Sequence, residues 1–458
     1  MIPEAHQPPG PRTSVSGIVR VLRDPLGFLS EMRERYGDVV MFRNGKFFLV
    51  NSPDGIKHVL QDNHTNYVKG AFYKRATRPL IGDGLVNSDG GAWRWKRRLA
   101  QPAFRQDQHE AFLETIVEQT ETLCHRVLGY ASLGKKFDLH NELAQHSLRI
   151  VLRLIFGEDV GGKSEELINA FMAADNELNP ARVFNPMSIP LWIPTPGNLR
   201  LRRGLQVLDD FVFEVIRKRR ERGSGTDLLS IYIHARDEDT GEALTDLQVR
   251  DEVVTLMSAG HETVSDSMTW ALYLLLTHPS ICNRVCSEAI LALQDRPPEI
   301  SCLHRLSLTT MVFQEAMRLY PSAWGFVRVP LKNDVICGYS IKAGALVILS
   351  PYVVHRDPRI WERPESFEPE RFLPERIAQR HRFAWFPFSG GPRLCVGLAL
   401  AMLEGQVTLS MLARMFELEL VPGQPVRPLP RLSLKPEGGV WVRARVRNGS
   451  GTGAQQGN

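Results

Sequence analysis

The feature of this sequence that most limits its possible folds is one long helical segment near the middle of the chain. It follows the capping residue Thr245 and continues to Thr277, where His278-Pro279 is expected to end it. At 1.5 Å per residue this helix would span roughly 45 to 50 Å, which is enough to cross a whole domain. The chain has 458 residues, 43% of them hydrophobic, so it can bury a core around such a helix.

The segments on either side of this helix predict a mostly helical chain with a smaller β region. Between residues 38 and 50, Asn44-Gly45 separates two β-rich runs, which is the strongest short-range signal for a hairpin. The pattern is then mainly helical as far as about Leu319, and short strands are predicted over 321–350. A final helix near Cys395 and a β-rich end follow.

We predict that residues 1–447 form a single domain and that the glycine-rich residues 448–458 form a disordered tail. The longest apolar run in the central part, Trp270 to Leu276, is far shorter than the roughly 20 residues of a membrane-spanning helix. Met1 to Arg12 is polar and proline-rich, so neither a secretory signal nor an anchor is expected.

Cysteine usage and charge narrow the class further. The six cysteines include no CxxC pair, which argues against a disulfide framework or a zinc ribbon and fits a reducing compartment. A net charge of +5 is too mild to indicate nucleic acid by itself. We therefore expect a soluble, cytoplasmic protein of bacterial type, acting as a monomer, with no nucleic-acid partner and no membrane span.

A cysteine lies in a glycine-rich turn between Phe388 and Gly397. Gly391 and Gly397 permit close backbone approaches, so that amide N–H groups can point at the sulfur of Cys395. The dipole of the following helix favours a thiolate, which is the form that binds a metal. Arg393 would supply a fixed positive charge to an anionic group of a cofactor.

The pattern F-x-x-G-x-R-x-C-x-G closely resembles the heme-binding loop of the cytochrome P450 family. This resemblance implies the cytochrome P450 fold, mostly α with a smaller β region, with heme b between the long central helix and the cysteine-loop helix. It also implies Cys395 as the axial ligand of the heme iron, and Phe388, Gly391, Arg393 and Gly397 as cofactor-binding residues. A buried free cysteine in a glycine turn would give the same local pattern.

Three further motifs in the family's order argue against that alternative, and the first is a charge network. Glu315 and Arg318 are three residues apart, so they share a helix face and can pair. They resemble the family's ExxR motif, and Arg371 resembles the arginine that completes the network. We assign the three to folding and pocket architecture, with no catalytic step. Alone, ExxR is usually a solvated helix face.

The second motif lies within the long helix, where Ala259-Gly260-His261-Glu262-Thr263 resembles the family's oxygen-binding motif. The mid-helix Gly260 costs about 1 kcal/mol relative to alanine, and close approach of the backbone to a flat cofactor would explain it. Glu262 and Thr263 suit proton delivery to dioxygen, so Gly260, Glu262 and Thr263 are the predicted catalytic residues. Ala259 is predicted to contact the cofactor, and His261 is not predicted to bind the iron. A glycine-kinked amphipathic helix is the plainer alternative.

The third motif is Trp93 and Arg97, which lie on one helix face and match the family's WxxxR motif for a heme propionate. Arg328 aligns with a strand arginine that meets a propionate in many relatives. An aromatic and basic nucleic-acid site is the alternative for Trp93 to Arg98, but one short run on a mildly charged protein supports it poorly.

The resemblance also implies partners. Electrons from NAD(P)H would arrive through a separate ferredoxin or flavodoxin and its reductase, and Arg94, Lys96 and Arg98 could face such an acidic protein. A solvated basic helix face is an equally simple account of these three residues. The resemblance implies a pocket over the heme built from residues 72–85, 178–192 and 323–327 and from the long helix near Met257 and Ala259. The apolar content of these segments implies a hydrophobic small-molecule substrate.

The activity that these motifs imply is that of a monooxygenase, which uses O2 as co-substrate to hydroxylate or epoxidise a fatty acid, terpenoid, steroid or polyketide. One alternative is a peroxide-using or isomerase-type enzyme of the same fold, although such relatives often lack the Glu262 and Thr263 pair. The other is a non-catalytic heme protein that senses a gas or carries a ligand.

Overall fold

The computed structural model describes residues 6–11, 15–104, 108–157, 162–177, 192–223, 227–237, 240–294 and 296–447. The helices of these residues are α1 (Val15–Arg23), α2 (Pro25–Tyr36), α3 (Pro53–Lys57), α4 (Gly70–Ile81), α5 (Gly90–Ala100), α6 (His109–Ser132), α7 (Leu139–Phe156), α8 (Ser164–Asn176), α9 (Pro196–Arg222), α10 (Leu228–His234), α11 (Asp246–Thr277), α12 (Pro279–Leu293), α13 (Ile300–Leu303), α14 (Ser307–Leu319), α15 (Pro351–Val354), α16 (Pro374–Ala378) and α17 (Leu398–Met415).

The strands of the described residues are β1 (Val39–Phe42), β2 (Phe47–Val50), β3 (Tyr67–Val68), β4 (Phe137–Asp138), β5 (Phe326–Pro330), β6 (Asp334–Ile336), β7 (Tyr339–Ile341), β8 (Leu346–Leu349), β9 (Phe416–Leu420), β10 (Pro428–Pro430), β11 (Leu434–Pro436) and β12 (Trp441–Val446). They form a five-stranded sheet in the order β1-β2-β8-β5-β3, a three-stranded sheet in the order β4-β12-β9, and the pairs β6-β7 and β10-β11. A mostly helical chain with a smaller β region is thus confirmed.

The predicted long helix is α11, and its ends are confirmed. Thr245 caps it through a reciprocal pair of bonds, since Gln248 N–H donates to Thr245 Oγ1 (3.3 Å) and Thr245 N–H donates to Gln248 Oε1 (2.9 Å). It ends at Thr277, because Pro279 already starts α12. Its sides pack on α7, α14 and α17, so it runs through the main hydrophobic core.

The predicted hairpin is also confirmed, as β1 pairs antiparallel with β2 from Val39–Val50 to Phe42–Phe47. Asn44 and Gly45 have φ of 53° and 85°, the left-handed region that asparagine and glycine tolerate best. β2 then pairs in parallel with β8, which joins the start of the chain to its last third.

Three further predictions concern membrane-spanning helices, the C-terminal tail and the number of domains. Among the described residues, no helix combines the length and the apolar character needed to cross a bilayer. Residues 448–458, predicted to be a disordered tail, lie outside the described residues. That residues 1–447 form a single domain stays a prediction.

Candidate functional site

The turn that presents Cys395 depends on a glycine that no other residue can replace without movement. Gly391 has φ of +61°, and a Cβ built there would lie 2.0 Å from the carbonyl oxygen of Leu60. The Cys395 N–H donates to the carbonyl oxygen of Phe388 (3.0 Å), which closes the turn around Arg393. The backbone therefore fixes where the cysteine side chain leaves the loop.

The sulfur of Cys395 is presented at the start of α17. Its side chain is exposed, so the thiol is accessible to a binding partner. Burial raises the pKa of the Cys395 thiol, and the Gly397 N–H and the charge of Arg97 act in the opposite direction. A Cβ at Gly397 would meet no atom within 4 Å, so this glycine leaves room beside the sulfur.

Glu315, Arg318 and Arg371 form one buried network, as the motif predicts. Arg318 binds both oxygens of Glu315 (2.7 and 2.8 Å), and Arg371 Nε lies 3.4 Å from Glu315 Oε1. Arg318 also donates to the backbone carbonyls of His355, Pro364 and Ser366. All three charged side chains are buried, and Glu315 and Arg318 have no exposed surface. Such charges are stable in the interior because each has several partners.

His355 extends this network to the cysteine loop, and no sequence motif indicated this role. Arg318 donates to the His355 carbonyl (2.9 Å), while His355 Nε2 accepts the N–H of Phe386 (3.0 Å). Burial and the charges of Arg318 and Arg356 hold the pKa of His355 well below its ordinary value, so its ring is neutral and can accept. Phe386 in turn accepts the N–H of Ser389, within the loop.

A cluster of cations, which we call the cation cluster, consists of Lys69, Lys74, Arg328 and Arg393. Burial, followed by the charges of Arg328 and Arg393, holds the pKa of Lys69 well below its ordinary value. Burial and Arg393 lower the pKa of Arg328 to about 10. Asp89 pairs with Arg393 (2.7 Å) and Lys74 (3.0 Å), so positive charge exceeds negative charge in the cluster. The sequence did not predict Lys69 as a site residue, because it belongs to none of the motifs.

Trp93 and Arg97 lie one turn apart on α5, as predicted. The guanidinium of Arg393 lies over the Trp93 ring, 4.4 Å from its centroid. Burial lowers the pKa of Arg97, and the charge of Cys395 acts in the opposite direction. Arg97 therefore extends from α5 toward the cysteine loop. The motif therefore brings one aromatic ring to the cation cluster and one cation to the sulfur.

The neighbouring Lys96 corrects the predicted partner surface. It is 5% exposed, pairs with Glu252 (3.0 Å) and donates to the carbonyl of Asp83. The charge of Lys96 is therefore neutralised by Glu252 inside the protein and is not presented to a partner. Arg94 and Arg98 are exposed, and Arg98 pairs with Asp237 (3.3 Å).

On α11, the structure gives Gly260 a packing reason. A Cβ at this position would lie 3.0 Å from Val151 of α7, so the glycine allows the two helices to approach closely. The sequence instead explained Gly260 by approach to a flat cofactor. Ala259 lies one residue earlier, and its carbonyl accepts the hydroxyl of Thr263 (2.8 Å).

The backbone around Thr263 is held by two serines that the sequence did not indicate. Ser267 Oγ and Ser322 Oγ each lie 2.8 Å from the Thr263 carbonyl oxygen and 2.8 Å from each other. One turn of α11 is thus tied to the segment after α14. His261, which was not predicted to bind iron, is buried with its ring edge-on to Phe171 at 5.0 Å.

Glu262 has a partner far along the chain. Its Oε1 lies 2.8 Å from Nζ of Lys435 on β11, and both side chains are largely buried, at 14% and 17% exposed. Of the predicted pocket segments, residues 178–191 lie outside the described residues, as does the side chain of Phe72.

Comparison with known proteins agrees with this geometry. A sequence profile described as Cytochrome P450 matches residues 8–442. Cyclooctatin synthase of Streptomyces melanosporofaciens is 32% identical over 416 residues, which cover 90% of this chain and 89% of that protein. Pentalenene oxygenase of Streptomyces avermitilis is 33% identical over 428 residues, which cover 92% and 93%. The crystal structure of the cytochrome P450DA heme domain shares the fold, with a TM-score of 0.85 at 24% identity over 97% of this chain and 98% of that one.

The fold and the cysteine loop define a heme-thiolate protein. The chain belongs to the cytochrome P450 family and is a cytochrome P450 monooxygenase. Its cofactor is therefore heme b, its co-substrate is O2, and its electrons come from NAD(P)H through redox partners. The residues present fit this group, because the surplus positive charge of the cation cluster suits two propionates and the exposed thiol of Cys395 can supply a thiolate to iron.

Proposed function

We propose that the thiolate of Cys395 would hold the heme iron and that this enzyme hydroxylates or epoxidises a hydrophobic small molecule. The observation that carries the proposal is the loop of Gly391 and Cys395, which holds an exposed sulfur near Arg97 and close in sequence to Arg393 of the cation cluster. When bound, heme supplies reversible oxygen binding and the redox chemistry that oxygen insertion needs. Gly397 donates its N–H to the sulfur, which moderates the thiolate's charge.

In this proposal, Arg328 and Arg393 hold the propionates, with Lys69 as a third buried cation, and Trp93 and Arg97 complete the cradle. Phe388 shapes the loop through its carbonyl, and Ala259 and Gly260 would let α11 contact the heme. Thr263 and Glu262 would handle protons there. Thr263 can release its hydroxyl from the Ala259 carbonyl to donate elsewhere, because the serines keep its backbone in place.

We further propose a terpenoid as the first substrate class to test, among the fatty acids, terpenoids, steroids and polyketides that an apolar pocket admits. The relatives include an oxygenase named for pentalenene. Electrons would come from a separate ferredoxin or flavodoxin and its reductase, for which the exposed Arg94 and Arg98 supply positive charge. A cytoplasmic, monomeric enzyme fits the six free cysteines, which suit a reducing compartment.

The absorption spectrum of the reduced protein exposed to CO tests the ligand. We expect a strongly red-shifted Soret band, and its loss in Cys395→His with heme still bound, because imidazole cannot supply the charge of a thiolate. Cys302→His is the control, because Cys302 lies on α13 and not in the cysteine loop, so the red-shifted band should remain. An unshifted band in the unmodified protein, at full heme content, would overturn Cys395 as the ligand.

The activity is tested by product analysis. Product should form with NAD(P)H, a ferredoxin and its reductase, and one of its oxygen atoms should come from labelled O2. Product that forms with peroxide but not with NAD(P)H, a ferredoxin and its reductase would favour a peroxide-using enzyme instead.

A further inference from the structure

A small cleft lies beside α11, between α8 and the segment that leads into β11. It is lined by Asp175, Asn176, Glu262, Arg431, Leu432 and Lys435. Glu262 is the only one of these residues on α11, next to Thr263. The cleft therefore gives solvent a polar approach to the acidic residue of the oxygen-binding motif.

Lys435 reaches this cleft from a segment that is firmly held. The carbonyl of the preceding residue, Leu434, accepts the indole N–H of Trp270 (2.8 Å), and its N–H donates to the carbonyl of Ser322 (2.9 Å). Trp270 is fully buried in α11 and stacked on Tyr320. The backbone of Lys435 is thus fixed relative to α11 and to the serine that supports Thr263.

The Lys435 ammonium sets the charge of Glu262. Burial alone would favour the neutral acid, but the charge and the hydrogen bond of Lys435, at 2.8 Å, keep the pKa of Glu262 below its ordinary value. The same pair raises the pKa of Lys435 against the effect of burial. Both groups are therefore ionised at neutral pH.

The other titratable groups that face this pair do not compete for Lys435. Asp266, one turn further along α11, pairs with His140 of α7 (2.8 Å). Burial and the charge of Glu262 raise the pKa of Asp175 on α8 well above its ordinary value, which favours its neutral form. Burial lowers the pKa of His261 to about 4, so its ring is neutral. Asp175 and the ionised Glu262 line the same cleft.

We propose that Lys435 is a positioning residue that holds Glu262 as a carboxylate at the cleft, ready to take a proton from solvent and pass it toward Thr263. An O–H bond of cleft water breaks and an O–H bond forms on Glu262. Glu262 then leaves Lys435, its O–H bond breaks, and the proton passes through the Thr263 hydroxyl to the co-substrate O2 as O2 is reduced. Solvent replaces the proton taken from the cleft, so one proton is transferred from solvent to O2. The inference rests on the proposed role of Glu262 and Thr263 in the monooxygenase.

Infrared spectroscopy tests the inference without turnover. The heme-loaded protein is titrated with acid, and the C=O band that Glu262→Gln lacks reports protonation of Glu262. In Lys435→Met this band should grow in at clearly higher pH than in the unmodified protein, whereas Lys435→Arg should titrate as the unmodified protein does. Lys342→Met, which removes an exposed lysine, is the matched control. An unchanged titration in Lys435→Met would overturn the inference.

Turnover gives the second readout. With NAD(P)H, a ferredoxin and its reductase, Lys435→Met should form product about tenfold more slowly at pH 6 and recover as the pH rises. Peroxide-supported product formation should change less than twofold, because peroxide brings its own protons. Identical pH profiles for Lys435→Met and the unmodified enzyme would sink the inference and leave the proposed function intact. If the unmodified enzyme oxygenates nothing with NAD(P)H, the proposed function fails, and the infrared titration still decides whether Lys435 controls Glu262.

Discussion

The two sides of the site are built in different ways. The cysteine side is fixed by a backbone turn at Gly391 and by a buried charge network. In this network, Arg318 donates to Glu315 and to the backbone carbonyls of His355 and Pro364. The side formed by α11 relies on single side-chain contacts, such as Glu262 with Lys435 at the rim of a cleft. The cysteine side is built to hold a position, and the α11 side is built so that groups can change partners.

Two buried glutamates show the same difference. Glu262 has a lysine beside it, and its pKa is lowered. Glu404 on α17 has the hydroxyl of Ser147 at 2.5 Å, and burial raises its pKa to about 8. One carboxyl is therefore a charged group near solvent, and the other is a neutral acid that packs between α17 and α7.

The largest expected effect breaks the network on the cysteine side. Arg318→Met should lower the free energy of unfolding by about 3 to 5 kcal/mol, because Glu315 is left as a buried and largely unpaired charge. Urea unfolding measures this loss. Arg284→Met is the control, since Arg284 pairs with Glu370 at the surface and should cost less than about 1 kcal/mol. Equal losses would show that the network does not hold the cysteine side.

A second experiment compares one glycine on each side. Gly391→Ala should cost at least about 2 kcal/mol and reduce heme content, because its φ is positive and its Cβ would meet the Leu60 carbonyl. Gly260→Ala should stay within about 1 kcal/mol, since the better helix propensity of alanine offsets a small shift of Val151. Urea unfolding and heme content measure both. If Gly260→Ala proved the more costly, the contrast in rigidity would be reversed.

The smallest expected effect tests the difference in ionisation between Glu262 and Glu404. The Glu404 pKa is about 8 in the folded state against about 4.5 in the unfolded chain, so ionisation favours unfolding as the pH rises between these values. From pH 6 to 7, Glu404→Gln should therefore gain about 1 kcal/mol of stability relative to the unmodified protein. Urea unfolding at both pH values measures the gain, and Glu417→Gln, on exposed β9, is the control. A constant difference would mean that Glu404 is already ionised in the folded protein.

The sequence predicted best what is encoded locally. The ends of α11 follow from Thr245 and Pro279, and the pairing of Glu315 with Arg318 follows from their spacing on one helix. Lys435 and Glu262 are 173 residues apart, and His355 reaches the loop through backbone bonds, so neither leaves a local pattern. Lys96 was placed at the surface because its spacing on α5 cannot reveal that Glu252 lies against it.

The parallel pairing of β2 with β8 also bears on how the chain reaches this structure. Residues 47–50 cannot pair until residues 346–349 have been synthesised, so roughly 300 residues are added before the five-stranded sheet can form. At ribosomal rates this takes about 15 to 60 s. During that interval the newborn hairpin offers an open edge of backbone amides and carbonyls to other chains. Slow elongation or a high local density of nascent chains would therefore reduce the yield of active enzyme before heme is ever bound, and a chaperone that covers this edge should restore it.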